Sequence, residues 1–211
     1  SPEDFYNLQK DVAKTKWKIL ENFIEHTIDN NFIILDYGGA AGGTLDKYLG
    51  KANLYVADYN LSHINFARSK GINTVNGGLK EVIKSKLKPN LIIMSHVVEH
   101  WTNFNIEVND LIKICRDKTI IYIEFPSIDS TGDFLADIHL PHNYYFSSNV
   151  FVNLMARYGF ECLYHNNEFI GVFRYSKKKK ELINYSSNVK KILLLREKNF
   201  NHSKKKQEMT D

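Results

Sequence analysis

The stretch Ile33-Ile-Leu-Asp-Tyr-Gly-Gly-Ala-Ala-Gly-Gly-Thr44 decides the reading of this chain. An apolar strand ends in an acid, Asp36, and runs straight into a glycine-rich turn followed by a helix start. Glycines let the backbone approach a ligand closely, and the helix N-terminus beyond them presents free N–H groups, so the segment reads as a nucleotide-binding strand, loop and helix. A second apolar strand, Leu54-Tyr-Val-Ala-Asp58, ends in an acid 20 residues after Gly38. That is where an adenosine ribose would offer its hydroxyls, and the two segments together point to an adenosine-containing cofactor. Helix capping by Asp36 and Asp58 is the plainer alternative, but an acid ending each of two consecutive strands is better explained by a ligand.

Outward from this segment the chain alternates. Strands are expected near 32–36, 53–58, 72–75, 90–95 and 119–124, with helices from about Thr44, from about Ser62, near 79–86 and over 103–115. This order predicts a parallel α/β sheet, and the runs Ile33-Ile34, Ile92-Ile93 and Thr119-Ile120-Ile121 fit strands buried on both faces. Upstream, Leu8, Val12, Ile19, Phe23 and Ile28, with Leu20 and Ile24, recur at helical spacing, so residues 5 to 28 read as one or two amphipathic helices within an N-terminal cap, 1–30. Downstream, Pro126 to Phe146 is a loop long enough to be functional. Ser147 or Ser148 caps another helix, Gly159 closes it, and strands 160–165 and 168–174 form a hairpin on a tight Asn166-Asn167 turn.

Composition bounds the rest. With 211 residues, 43% hydrophobic and 13% aromatic, the chain can bury one substantial core, which excludes a wholly disordered protein. Its net charge of +4 is uneven: from Ser176 onward 11 Lys or Arg face 4 Asp or Glu, leaving the body at −3. The body, 31–176, therefore does not read as a nucleic-acid platform, and the basic tail, 177–211, expected to be partly helical, reads as solvated. Apolar runs are too short to span a bilayer and no signal sequence opens the chain, so a cytoplasmic protein is expected. The start at Ser1-Pro2 without methionine is expected to be either an expression scar or a truncated start that lacks an N-terminal segment. Cys115 and Cys162 lack metal or redox spacing and are expected to be buried free thiols. Nothing sets the oligomeric state.

Asp36-Tyr-Gly38-Gly39-Ala40-Ala-Gly42, Asp58, Asn90-Leu-Ile-Ile-Met-Ser95-His-Val-Val-Glu-His100 and the Tyr158-Gly-Phe160 hairpin together resemble the class I S-adenosylmethionine-dependent methyltransferases. The likeness runs over residues 30 to 175 and is closest to the branch with a Val-Val-Glu-His motif, which includes many small-molecule and polysaccharide-associated enzymes. It implies a doubly wound, mostly parallel, seven-stranded α/β sheet of Rossmann-like type with a C-terminal antiparallel hairpin. It also implies that Asp36 and the turn Gly38, Gly39, Ala40 and Gly42 surround the methionine part of S-adenosylmethionine, and that Asp58 takes the ribose hydroxyls. Tyr59 would lie against adenine, Gly78 and Leu79 would approach its edge, and Ser95 and His96 would line the cofactor. Ala40 departs from the family's usual middle glycine.

Four of the eight histidines fall in two loops expected above the sheet: His96 and His100 after the fourth strand, His139 and His142 after the fifth, accompanied by Glu99 and Asp137. This concentration at the expected ligand face is a site signal. One reading makes His142 or His96 a general base for a hydroxyl acceptor. The other has His96, Glu99 and His100 at i, i+3, i+4 spacing, with His139 or His142, holding a divalent cation, as a Glu-x-x-Glu-His set does in some ubiquinone-pathway and small-RNA methyltransferases; here His96 replaces the first glutamate. A third leaves Glu99 and His100 to fix the turn after the strand.

Trp101, Tyr144 and Tyr145 could stack on an acceptor's sugar or base face. These features favour an O-methyltransferase for a small-molecule acceptor: a saccharide, a nucleotide-linked sugar or a surface-glycan precursor such as one bearing a phosphate. The alternatives are an RNA methyltransferase recruiting the basic tail, a nicotinamide-dependent oxidoreductase reading Gly38-x-Ala40-x-x-Gly43 as its fingerprint, and a catalytically silent partner subunit.

Overall fold

The computed structural model describes residues 1–25, 27–129 and 141–178. Seven strands form one sheet: β1 (Ile33–Tyr37), β2 (Asn53–Asp58), β3 (Asn73–Asn76), β4 (Leu91–Ser95), β5 (Ile120–Glu124), β6 (Phe160–His165) and β7 (Ile170–Tyr175). Their spatial order is β3-β2-β1-β4-β5-β7-β6. The first five are parallel; β7 runs antiparallel between β5 and β6, as the terminal hairpin predicted. Chain order reverses between β1 and β4, and a crevice opens at such a switch point outside the carboxyl ends of the strands.

Alternate residues of each strand feed opposite faces. Leu91 and Ile93 of β4 join the core formed with α1 (Pro2–Leu20), the 3-10 helix Gly43–Tyr48 and α2 (Leu61–Ser69). Ile92 and Met94 join the core formed with α3 (Leu79–Lys84), α4 (Phe104–Ile114) and α5 (Ser148–Arg157). Burial on both faces is the reason the central strands are continuous apolar runs.

α1 starts with a capping box between Ser1 and Asp4 and buries Tyr6, Ala13, Trp17 and Leu20 along one stripe. It ends at Leu20, short of the expected 28: the Asn22 amide turns back to the Lys18 carbonyl at 2.8 Å. Phe23, Ile24 and Ile28 kept the helical spacing only because they pack on the same core from irregular backbone. The helix expected from Thr44 is a six-residue 3-10 turn. α1 crosses it so closely that a Cβ on Gly43 would overlap the Tyr6 carbonyl oxygen.

The hairpin turn is also wider than a two-residue loop. Asn166 pairs with Ile170 through both its backbone and its side chain, and Phe169 between them takes a positive φ of 48°. Cys115 is buried, whereas Cys162 is only half-buried, because it sits in β6 at the sheet edge. The basic tail from residue 179 on, together with Asp137 and His139, lies outside the described residues. No described helix is long and apolar enough to cross a membrane.

Candidate active site

The exits of β1, β2 and β4 enclose a cleft of about 480 Å³ lined by Tyr37, Gly38, Asp58, Tyr59, Gly77, His96, Val97, His100, Trp101 and Glu107, among others. The glycine turn forms one wall. Gly38 has φ 75°, and a Cβ there would sit 2.6 Å from the Val97 side chain; Gly42 has φ 83°. These two positions need glycine for both conformation and space. Ala40 holds a left-handed φ of 44°, a conformation that favours glycine, and its N–H donates to Asp58 Oδ2 at 2.9 Å. The loop is further braced by Gln9 of α1, whose amide donates to the Gly39 carbonyl and accepts from the Gly43 N–H.

Asp58 receives the Asn60 N–H on its other oxygen at 2.8 Å, so both carboxylate oxygens are oriented by backbone donors while the group still faces the cleft. A carboxylate has lone pairs to spare for two hydroxyls in that position. Asp36 is buried, and its Oδ2 meets no hydrogen-bond partner. Burial pushes its carboxyl up to about 6, against the opposing pull of the Lys16 ammonium and the Thr44 hydroxyl.

The third-strand exit is more closed than the sequence implies. The Gly78 N–H donates to Glu81, and the Tyr59 hydroxyl fills the space above Gly78. Tyr59 itself is 74% exposed, its ring open to a ligand.

Charged side chains from four elements meet at the other end. Lys16 of α1, 8% exposed, reaches over the sheet to donate to Ser95 at 2.7 Å and Glu124 at 2.5 Å. Glu124 faces His96 Nε2 at 3.6 Å, and His96 Nδ1 faces Glu99 at 3.3 Å. Lys16, Glu124, His96 and Glu99 thus alternate in sign. The His96 and Lys16 cations hold Glu124 down at about 2 despite its burial, while Glu124 and then Glu99 raise His96 to about 9. With its pKa raised to about 9, His96 carries positive charge at neutral pH, and its two ring N–H groups face Glu124 and Glu99.

His100 Nδ1 lies 3.1 Å from the Pro141 carbonyl. A carbonyl only accepts, so Nδ1 carries a proton, and in the neutral ring the lone pair falls on Nε2. His142 stands beside it with ring centroids 4.8 Å apart, brought there because Asn143 and Tyr144 donate their N–H groups to the Glu99 carbonyl. Ligand atoms of Glu99, His100 and His142 lie within 4.8 Å of one another, and both Glu99 oxygens are buried without a hydrogen bond.

Of the aromatics, Tyr144 accepts the Phe104 N–H and packs with Phe146 in the core, Trp101 walls the cleft, and Tyr145 is exposed 5.9 Å from His142. Sequence reasoning missed Lys16, Glu107 and Glu124. Glu124 carries the signal already used for Asp36 and Asp58, an acid at the end of an apolar strand.

The strand order, the glycine turn at the switch point and an acid closing β2 define a class I methyltransferase fold. The chain belongs to the methyltransferase-domain family, which it matches over residues 9–165, and it is an S-adenosylmethionine-dependent methyltransferase. Its fold is similar to that of an S-adenosylmethionine-dependent methyltransferase from Archaeoglobus fulgidus (18% identity, 91% of this chain and 86% of that one, TM-score 0.56). An S-adenosylmethionine-dependent methyltransferase from Thermotoga maritima, described as a possible histamine N-methyltransferase (13%, 83% and 94%, 0.59), and one from Aquifex aeolicus (15%, 82% and 97%, 0.55) are also similar. No curated protein matches the sequence.

The residues present suit the cofactor. The cleft offers two carboxylates, Asp58 and Glu107, and no Lys or Arg among the described residues that line it. Carboxylate acceptors at these positions suit the hydroxyl and amino donors of an adenosyl group.

Proposed function

We propose that the protein is an O-methyltransferase acting on a small-molecule acceptor: a saccharide, a nucleotide-linked sugar or a glycan precursor such as one bearing a phosphate. The observation that carries this reading is the His100 lone pair beside the cleft, oriented by Pro141 and flanked by His142. An alcohol is a poor nucleophile until its proton leaves, and a positioned imidazole is the group that takes it at neutral pH. The bound sulfonium would supply an activated methyl group.

Asp58 and the Gly38–Gly42 turn hold the adenosine and methionine parts. His100 Nε2 would accept the acceptor's hydroxyl proton, with His142 at its side. Exposed Tyr145 offers a ring for a sugar face. The remaining work is alignment and exclusion of water.

A second reading is favoured by one observation, the buried Glu99 carboxylate, paired with His96 and within ligand reach of His100 and His142. These three would hold a divalent cation, which would orient the acceptor oxygen in place of a base.

The test is transfer of labelled methyl to a panel of sugars, sugar phosphates, nucleotide sugars and amines, before and after chelation. Methylated hydroxyl compounds with unchanged rates after chelation support the base; loss restored by added cation supports the metal. Transfer to amines with no hydroxyl product overturns the oxygen assignment.

A further inference from the structure

Adenine presents a donor, its 6-amino group, at the edge remote from the ribose, and a site that reads it needs an acceptor there. At the exit of β3 the Gly78 carbonyl already accepts from the Glu81 and Val82 N–H groups, and the Tyr59 hydroxyl closes the approach to Gly78. Across the cleft, α4 places Glu107 in the lining, half-buried. Among the described residues its carboxylate meets no hydrogen-bond or ion-pair partner, in contrast to Glu81, which binds Gly78 and Lys84, and Asp110, which binds Lys113. Glu107 lines the same cleft as Tyr37 and Tyr59, and after burial its charge helps to raise both phenols. Its own carboxyl is raised by burial and by Asp110, with Lys80 opposing. Asp58 and Glu107 therefore stand on opposite walls of one cleft, each an acceptor with capacity to spare.

We infer that Glu107 reads the cofactor's base by accepting a hydrogen bond from the adenine 6-amino group. The inference rests on the adenosine lying in this cleft with its ribose at Asp58. It makes a helix side chain, rather than the backbone beyond β3, the determinant of base selectivity. A 6-carbonyl purine would set oxygen against carboxylate and be rejected.

The experiment is calorimetric titration of the full chain with S-adenosylhomocysteine and with its analogue lacking the 6-amino group. Hydrogen bonds to a charged group are strong enough that the wild type should bind the deaminated analogue about tenfold or more weakly. Glu107→Ala should weaken S-adenosylhomocysteine by a similar factor and bind the two ligands alike, and Glu107→Gln, which keeps a carbonyl acceptor, should recover part of the difference. Asp58→Ala should weaken both ligands equally, which reports the ribose independently. If Glu107→Ala keeps the wild-type preference while Asp58→Ala behaves as stated, the adenosine is correctly placed and the inference about Glu107 is wrong. If the wild type does not bind S-adenosylhomocysteine, or Asp58→Ala leaves its affinity unchanged, the placement fails and the inference falls with it.

Discussion

The β1–β2 half of the cleft is made largely of backbone, and the β4–β5 half of charged side chains. At the first, two contiguous segments supply the turn and Asp58, and a loop N–H locks the acid to the turn it faces. At the second, Lys16, Glu124, His96 and Glu99 come from α1, β5, the exit of β4 and the turn that follows it, and Lys16 and Glu124 are 108 residues apart in the chain. A cofactor that is the same for every acceptor is held by a short local motif. The acceptor end is assembled from distant residues, each of which can change without disturbing the turn.

Removing a single group from each half tests this contrast. The largest effect is expected at His100: if its lone pair takes the acceptor proton, His100→Ala should lower turnover by roughly 10²- to 10⁴-fold with little change in S-adenosylhomocysteine affinity. A fully active variant would remove it from the chemistry. Asp58→Ala should do the opposite, weakening S-adenosylhomocysteine by about 100-fold through the loss of charge-assisted bonds to two hydroxyls while the thermal midpoint stays near that of the wild type. Equal binding by calorimetry would return Asp58 to a purely local role at the loop.

Lys16 ties the β4–β5 half to α1. Lys16→Met leaves the Glu124 carboxylate with one cation fewer in a largely buried place, and because Glu124 keeps some solvent contact the loss should be about 2–3 kcal/mol, or roughly 5–10 °C in the midpoint. Adding Glu124→Gln to that variant should restore part of it. An unchanged midpoint in the single variant would show that the pair carries no net stability.

How much of this was legible follows the same division. The glycine turn, Asp58 and the alternation of strands and helices are local patterns, and the terminal hairpin was visible in Tyr158-Gly-Phe160. Periodicity failed where apolar residues pack without being helical, at Phe23, Ile24 and Ile28. The His96, Glu99 and His100 cluster was visible as composition, but its electrostatics were not, because the charge of His96 is set by Glu124 from a strand two loops away. Glu107 was invisible for a related reason: on α4 it is one polar position among several, and only the packing of that helix turns it into the cleft.

The smallest and most diagnostic effect concerns Asp36, which belongs to the first half but has the buried, strained character of the second. Its folded pKa, about 6, lies above the ordinary value of 3.8, so between those limits the folded protein binds more protons than the unfolded chain. Stability contributed by this group is therefore full below pH ~4 and falls as pH rises to ~6, a loss of about 2–3 kcal/mol. Asp36→Asn keeps the shape without the charge. The variant and the wild type should be equally stable near pH 4, and the variant should become the more stable of the two at pH 7, as measured by urea unfolding at each pH. If Asp36 is also part of the cofactor cradle, the same variant should bind S-adenosylhomocysteine more weakly at pH 7. A stability difference that does not change with pH would mean that Asp36 is not ionising against its burial, and a gain in stability with undiminished binding would separate the cost of this carboxylate from any use by the ligand.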